Sequence, residues 1–323
     1  MENVVGRILT PTIESPPEVS IHIAQFQPTE RPIEDRFSVH HSSDHSRLIV
    51  GIYDGHGGPE TADHVSQNLP PRLLQHNADC HSQQFQDLDD EMLSEFRRDH
   101  SLFRRRSPEW AHHALLMKSG STALVLDIDR TTLLATYSNA GDCRLIIFNG
   151  RSATLLQTKD LNMKTPSERE RLVREHPDED GLIVGDRLFG RLMCTRGFGD
   201  GYYKLPKGPL GFDQHRKYIE TISSVEQKGK IPMSDQYASI FYGYKTPPYI
   251  TAAPESAMYQ LEKGDVVILA TDGLWDLISS EEAAAIVLQG IASREDHWAE
   301  YLLARVREAT PPGDDVTVII VQL

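Results

Sequence analysis

With 323 residues and 39% hydrophobic content, the chain is long enough to bury a large core, as one large domain or as two ordinary ones. Its 47 acidic and 33 basic residues give a formal charge of -14, which disfavours nonspecific attraction to nucleic acid or to an anionic membrane. Cys80, Cys143 and Cys194 lie far apart with no Cys-x-x-Cys pair, which argues against a zinc site and against a disulfide-stapled secreted fold.

The opening MENVVGRILTPTIESPPE lacks the charged-then-apolar plan of a secretory signal and is no clear mitochondrial presequence. No apolar run approaches the roughly 20 residues that cross a bilayer, so no membrane insertion is expected. The chain reads as soluble and intracellular, in a reducing compartment, either cytoplasmic or mitochondrial. Residues 1–17 read as a flexible lead-in, because Pro11, Pro16 and Pro17 remove backbone donors. Alternation at Val19, Ile21 and Ile23 predicts a half-buried strand, and RLIVGIYD (47–54) a deeply buried one ending on aspartate and glycines. A helix follows over 60–75, interrupted at Pro70 and Pro71, then another in which Leu88, Met92 and Phe96 recur at four-residue spacing. Residues 121–129, 132–142 and 144–150 read as a meander of three antiparallel strands.

A charged surface helix is predicted from Pro166 to His176, and 205–247, which has no convincing period, reads as a mobile flap over the catalytic face. VVILATDG (266–273) is a buried strand, 280–290 and 295–309 are helical, and VTVIIVQL (316–323) is another strand. Strands come in two groups with helices after each, without β-α-β alternation. That order predicts an α+β fold, a sandwich of two mainly antiparallel sheets flanked by helices, with 18–323 as one domain.

Acidic residues sit where predicted strands begin or end: Glu34 and Asp35, Asp54, Asp142, Asp272, and Asp314 with Asp315. Any single Asp-Gly pair is an ordinary turn former. Jointly, these residues lie at strand ends that meet along one edge of a sandwich, where several unpaired carboxylates would repel and protonate one another. Divalent cations resolve that conflict, and an all-oxygen set without clustered histidine or cysteine selects hard ions such as Mg²⁺ or Mn²⁺. The glycines of Asp54-Gly-His-Gly-Gly58 let the Gly55 carbonyl reach a metal and His56 project towards substrate, with Asp54 able to bridge two ions. Asp160, Asp178 and Asp180 read as solvated surface charges, the His112-His113 pair as a helix-end or surface pair, and Arg104-Arg105-Arg106 as a solvated face.

Pro-Ile-Glu-Asp-Arg (32–36), Tyr-Asp-Gly-His-Gly-Gly (53–58), Gly-Ser-Thr-Ala (120–123), Asn-Ala-Gly-Asp-Cys-Arg (139–144), Arg-Gly-Phe-Gly-Asp (196–200), Ala-Thr-Asp-Gly-Leu-Trp-Asp (270–276) and Asp-Asp-Val-Thr-Val (314–318) follow one another in this order. In order and spacing they resemble the metal-dependent serine/threonine protein phosphatases, the PPM or type-2C family. Gly-Arg-Leu-Met (190–193), Thr-Pro-Pro-Tyr-Ile-Thr-Ala-Ala-Pro-Glu (246–255) and the Ser-Glu-Arg-Glu helix leading to Glu-His-Pro are most similar to its pyruvate dehydrogenase phosphatase branch. The resemblance implies a β-sandwich with helices on both outer faces and two core metals held by Asp54, the Gly55 carbonyl, Asp272 and Asp314. It further implies Glu34 and Asp35 in or just behind that ligand set, and a weaker third ion held by Asp142 with Asp272.

The expected reaction is hydrolysis of phosphoserine or phosphothreonine in a protein substrate by a hydroxide bridging two Mg²⁺ or Mn²⁺ ions, with His56 protonating the leaving oxygen. Pyruvate dehydrogenase is the substrate that the branch suggests, and a monomer the expected state. Two departures from the family pattern stand out. Arg31 lies three residues before Glu34 where the family's phosphate-binding arginine lies four before, which makes Arg31 the candidate phosphate ligand; and Asp160-Leu161 replaces the usual Asp-His. The alternatives are a catalytically inactive phosphatase-like binding or regulatory module, against which the full carboxylate set argues, and a two-metal nuclease or phosphodiesterase, against which the acidic surface argues.

Overall fold

The structure is a computed structural model and describes residues 6–12, 19–100, 106–150, 152–206, 214–225, 241 and 243–323. Strands β1 (Ile8–Leu9), β2 (Ser20–Phe26), β3 (Arg36–His41), β4 (Arg47–Tyr53) and β5 (Gly55–His56) precede helices α1 (Glu60–Gln75), α2 (His81–Asp99) and α3 (Trp110–Lys118). Next come β6 (Gly120–Ser121), β7 (Ala123–Asp129), β8 (Leu134–Ala140), β9 (Arg144–Asn149) and β10 (Ser152–Gln157), then helix α4 (Pro166–Glu175). Short strands β11 (Ile183–Val184), β12 (Arg187–Leu188) and β13 (Phe198–Gly199) lead to helices α5 (Gly201–Lys204) and α6 (Gln214–Ser224). Last are β14 (Glu255–Gln260), β15 (Val266–Ala270), the one-turn helix α7 (Asp272–Trp275), α8 (Ser280–Ser293), α9 (Trp298–Ala309) and β16 (Val316–Gln322).

Two antiparallel sheets carry the fold, one ordered β1-β2-β16-β15-β9-β10 and the other β14-β8-β7-β4-β3. Their central strands are apolar throughout because both faces are covered. In β4, Leu48, Val50 and Ile52 point to the other sheet, while Ile49 and Tyr53 pack with α1, α2 and α3. In β16, Ile319 and Val321 face the other sheet, while Val318 and Ile320 pack beneath Val287 of α8 and Leu302, Leu303 and Val306 of α9. Three apolar layers therefore separate four layers of secondary structure, the expected α-β-β-α sandwich. Each fully buried side chain of this size contributes roughly 1.5–3 kcal/mol, and α8 is closed by a capping box between Ser279 and Glu282.

Several elements differ from the sequence reading. Helix α1 runs unbroken through Pro70 and Pro71, held down by buried Leu69, Pro70 and Leu73 although the prolines remove two donors. The three strands read as a meander belong to both sheets: β7 pairs with β8, but β9 pairs with β15 and β10, so the chain changes sheets at Gly141-Asp142-Cys143. Strands β3 and β14 went unread because they are the two edges of the five-stranded sheet, where exposure weakens the apolar signal; Met258 of β14 is 68% exposed. Within 205–247, α6 buries Tyr218, Ile219 and Ile222 in the core with α3, a short helical period; residues 207–213, 226–240 and 242 lie outside the described residues. Ile8 and Leu9 of the lead-in pair with Phe26 and Gln25, and the remainder of the lead-in falls largely outside the described residues, as do Arg104 and Arg105.

Candidate active site

Strand register explains why distant carboxylates meet. Ala270 pairs with Arg144 on one side and Val318 on the other, so Asp142, Asp272 and the Asp314-Asp315 pair all leave the six-stranded sheet at the same edge. Arg36 pairs with Tyr53, which brings Glu34 and Asp35 beside Asp54 and Gly55 at the matching edge of the other sheet. The approach is close: a Cβ built on Gly55 would stand 2.3 Å from the Glu34 carbonyl oxygen, so only glycine fits there.

Burial and mutual repulsion dominate this cluster. Asp54 is pushed well above the usual carboxylate range by burial and by Asp272, Asp35, Asp142 and Asp314. Burial, then Asp142, lifts Asp272 to about 7, with partial relief from a hydrogen bond to Asp54. Asp35 rises to about 8 through burial and Asp315, although its Oδ2 accepts the hydroxyls of Thr317 at 2.8 Å and Thr271 at 3.0 Å. Burial also raises Asp142, against a hydrogen bond of 3.2 Å from the Asn162 amide. Among the described residues, no lysine or arginine reaches the side chains of Asp54, Asp142 or Asp272. Glu34 is used differently: its Oε1 accepts the Gly58 N–H at 2.7 Å, fixing the loop that carries Asp54 and His56, while its own N–H donates to Asp315 at 2.9 Å. Asp314 is exposed at the rim, its Oδ1 accepting the Asp315 N–H.

His56 is paired with a residue that the sequence reading did not single out. The small sheet β13-β6-β5 sets His56 and Gly199 opposite Gly120, and Asp200, next in the chain, places its two carboxylate oxygens 3.0 and 2.9 Å from His56 Nε2. Gly120 makes room for the pair, since a Cβ there would lie 2.2 Å from Nε2 and 2.3 Å from Asp200 Oδ2. Asp200 is left-handed (φ 53°, ψ 43°) and, although it stands at the N-cap of α5, its side chain caps nothing. A strained residue spending its carboxylate on a histidine points to function rather than to helix stability. Burial works to lower the His56 pKa, but Asp200, with Asp142 and Glu34 behind it, outweighs burial and raises it.

A cavity of about 180 Å³ opens beside the cluster, walled by Asp142, Asp272, Asn162, Lys164, Met193 and Trp275 among others. Asp160 also lines it; far from being a loose surface charge, it accepts from Arg144 at 2.9 and 2.6 Å, and the Arg144 guanidinium lies 5.0 Å over the Trp275 ring. His113 is likewise buried and bonded to Asp99 at 2.6 Å rather than lying on the surface. Arg31 is exposed on the loop between β2 and β3, its carbonyl accepting from the Gln27 amide. The structure thus gathers Glu34, Asp35, Asp54, Gly55, His56, Asp142, Asp272 and Asp314 at one edge and adds Asn162, Asp160 and Asp200. Asp200 was discoverable by the rule that found the others, an acidic residue at the end of a β segment, here the short strand Phe198–Gly199.

Three comparisons with known proteins bear on this arrangement. The family model described as Protein phosphatase 2C matches residues 21–309. Human pyruvate dehydrogenase phosphatase 2, a mitochondrial protein, is 34% identical over 55% of this chain and 33% of its own length. A protein phosphatase 2C homolog of Schizosaccharomyces pombe is 29% identical over 82% of this chain and 59% of its own. The chain thus spans less than two thirds of the length of these curated relatives. Among solved structures, a Caenorhabditis elegans sex determining protein superimposes with a TM-score of 0.63 at 19% identity, covering 95% of this chain and 65% of that one. A phosphatase from Toxoplasma gondii gives 0.62 at 17% identity, covering 94% and 92%. At such identities the structural likeness speaks for the fold.

Proposed function

Since the chain belongs to the protein phosphatase 2C family, we propose that it hydrolyses phosphoserine and phosphothreonine in proteins, with residues 18–323 as the catalytic domain. The observation that carries this reading is the cluster of half-buried Asp54 and Asp272 with buried Asp142, which no lysine or arginine balances among the described residues. Such a donor set fits hard divalent cations, and its repulsion is the driving force for taking them up. Asp54, the Gly55 carbonyl, Asp272 and Asp314 would hold two Mg²⁺ or Mn²⁺ ions, and Asp142 with Asp272 a weaker third. When bound, these ions supply a nucleophilic water and stabilise phosphoryl charge.

The protein's own groups do the remainder. Glu34 and Asp35 fix the ligand loops through Gly58, Thr271 and Thr317. Arg31 binds the incoming phosphate. His56 passes a proton to the departing serine or threonine oxygen; with Nε2 turned to Asp200, Nδ1 is the nitrogen free to face substrate. Relatives named pyruvate dehydrogenase phosphatase support that substrate class for this chain. No described helix is long and apolar enough to cross a membrane.

The test is release of phosphate from phosphoserine and phosphothreonine peptides in Mn²⁺, with Asp272→Asn expected to lower kcat/KM by about a thousandfold, ~4 kcal/mol. Folded wild-type protein that leaves both the peptides and p-nitrophenyl phosphate intact in millimolar Mn²⁺ refutes the reading. The substrate is tested separately: Mg²⁺-dependent reactivation of phosphorylated pyruvate dehydrogenase, faster than release from unrelated phosphoproteins, supports it, and equal rates remove it.

A further inference from the structure

One cluster beside the carboxylates has a different chemistry. A ring nitrogen of His56, the thiol of Cys194 and a carboxylate oxygen of Asp200 all lie within 4.8 Å of one another. Cys194 and Asp200 are each 4% exposed, while His56 is partly open to solvent. The three come from separate segments and are independently fixed. Cys194 bridges antiparallel to Asn162 and is flanked by the Met163 N–H bond to the Met193 carbonyl and the Thr195 N–H bond to the Leu161 carbonyl. Asp200 is held left-handed at the start of α5, and His56 sits on β5.

Nitrogen, thiolate sulfur and one carboxylate oxygen are the donors that zinc and cadmium prefer, and ligand atoms on one tetrahedral zinc lie about 3–4 Å apart. The three groups need only close slightly round such an ion, leaving a fourth position for water. The oxygen cluster of Asp54, Asp142 and Asp272 next to it offers neither nitrogen nor sulfur, so the two sites favour different classes of ion. The cluster meets solvent through His56, whose side chain is 31% exposed.

We propose that His56, Cys194 and Asp200 form a binding site for a thiophilic divalent cation, Zn²⁺ or Cd²⁺, separate from the carboxylate centre. An ion there displaces the thiol proton of Cys194 and occupies the imidazole that otherwise pairs with Asp200. Inhibition follows if His56 is the proton donor, a consequence that rests on the phosphatase reading; the site itself does not. Mg²⁺ and Mn²⁺ bind a thiolate far more weakly than Zn²⁺ or Cd²⁺ does, so added Mn²⁺ does not relieve the inhibition.

The test has one arm for binding and one for activity. Co²⁺ and Cd²⁺ added to the Mn²⁺-loaded protein should produce a thiolate-to-metal charge-transfer band. It should persist in Cys143→Ser and Cys80→Ser and vanish in Cys194→Ser, whose zinc affinity should fall at least about a hundredfold. Anomalous scattering at the zinc edge from wild-type crystals should place the ion between Cys194 Sγ and His56, which keeps the site testable if the variant misfolds. Zinc should inhibit the wild type equally at low and high Mn²⁺, with Cys194→Ser resistant relative to its own zinc-free rate. A band that survives in Cys194→Ser, or zinc located only among Asp54, Asp142 and Asp272, overturns the site. Inhibition relieved by Mn²⁺ overturns its regulatory consequence, and a band without any phosphatase activity would keep the site while removing the function proposed above.

Discussion

Asp200 shows how one side chain is committed by its backbone. Its left-handed conformation, worth roughly 1–2 kcal/mol of strain in an ordinary residue, turns the carboxylate away from the helix it begins and onto His56 Nε2. That contact orients the imidazole, so Asp200 is a positioning residue. Asp200→Asn should lower kcat on a phosphoserine peptide by about 10–100-fold, with little change on p-nitrophenyl phosphate, whose leaving group needs no proton, and with Mn²⁺ affinity unchanged by calorimetry. Equal losses on both substrates would show that Asp200 only supports the fold. Gly120→Ala should reproduce the defect, because the added methyl would occupy the space of the His56–Asp200 contact.

At the scale of an element, helix α4 is tied to the site by one buried acid. Glu168 faces inward from a helix that otherwise reads as surface, and its carboxylate accepts from Arg196 at 2.7 and 3.1 Å, Arg171 at 2.9 Å and Thr195 at 2.6 Å. Thr195 also bonds the Leu161 carbonyl, so Glu168 braces the segment that carries Cys194 against the one that carries Asn162. Burial alone would raise the Glu168 pKa, but Arg196, Arg171 and Thr195 bring it from 4.5 down to about 2. A depressed carboxylate binds its proton more readily in the unfolded chain. Its stabilisation is therefore complete above about pH 4.5 and is lost as pH falls through 4.5 towards 2. Glu168→Ala should destabilise by about 1–3 kcal/mol at neutral pH, since it removes the shared acceptor of Arg196, Arg171 and Thr195 while Arg171 keeps Glu175 and Arg196 keeps the Ala253 carbonyl. Denaturant titrations at pH 7 and pH 3 should show the wild-type advantage shrinking at the lower pH; an unchanged gap would mean that the ion-pair cluster adds nothing.

For the molecule as a whole, the two sheets close on a rim of like charges, so folding without cations works against repulsion among Asp35, Asp54, Asp142 and Asp272. Saturating Mn²⁺ should raise Tm, by an amount equivalent to ~2.7 kcal/mol at a hundred times the dissociation constant. Chelator should reverse the rise and Asp54→Asn should abolish it; a Tm indifferent to Mn²⁺ would argue against a cation site at the rim. The layering that builds this rim was legible from the amino-acid order. RLIVGIY, VVILA and VTVIIVQ are apolar on both faces, which only a strand between two covered surfaces requires, and their ends are marked by Asp54, Asp272 and Asp314. What stayed hidden were strands β3 and β14, whose edge positions leave them half polar, and the change of sheets at Asp142, which depends on pairing partners rather than on local pattern. Local order thus determined which segments are buried and which carboxylates end them, because burial and turn chemistry act within a few residues. Only tertiary structure brought Asp200 and Cys194 to His56, because their meeting depends on registers between β5, β6 and β13 and on the Asn162–Cys194 bridge, all contacts between segments distant in sequence.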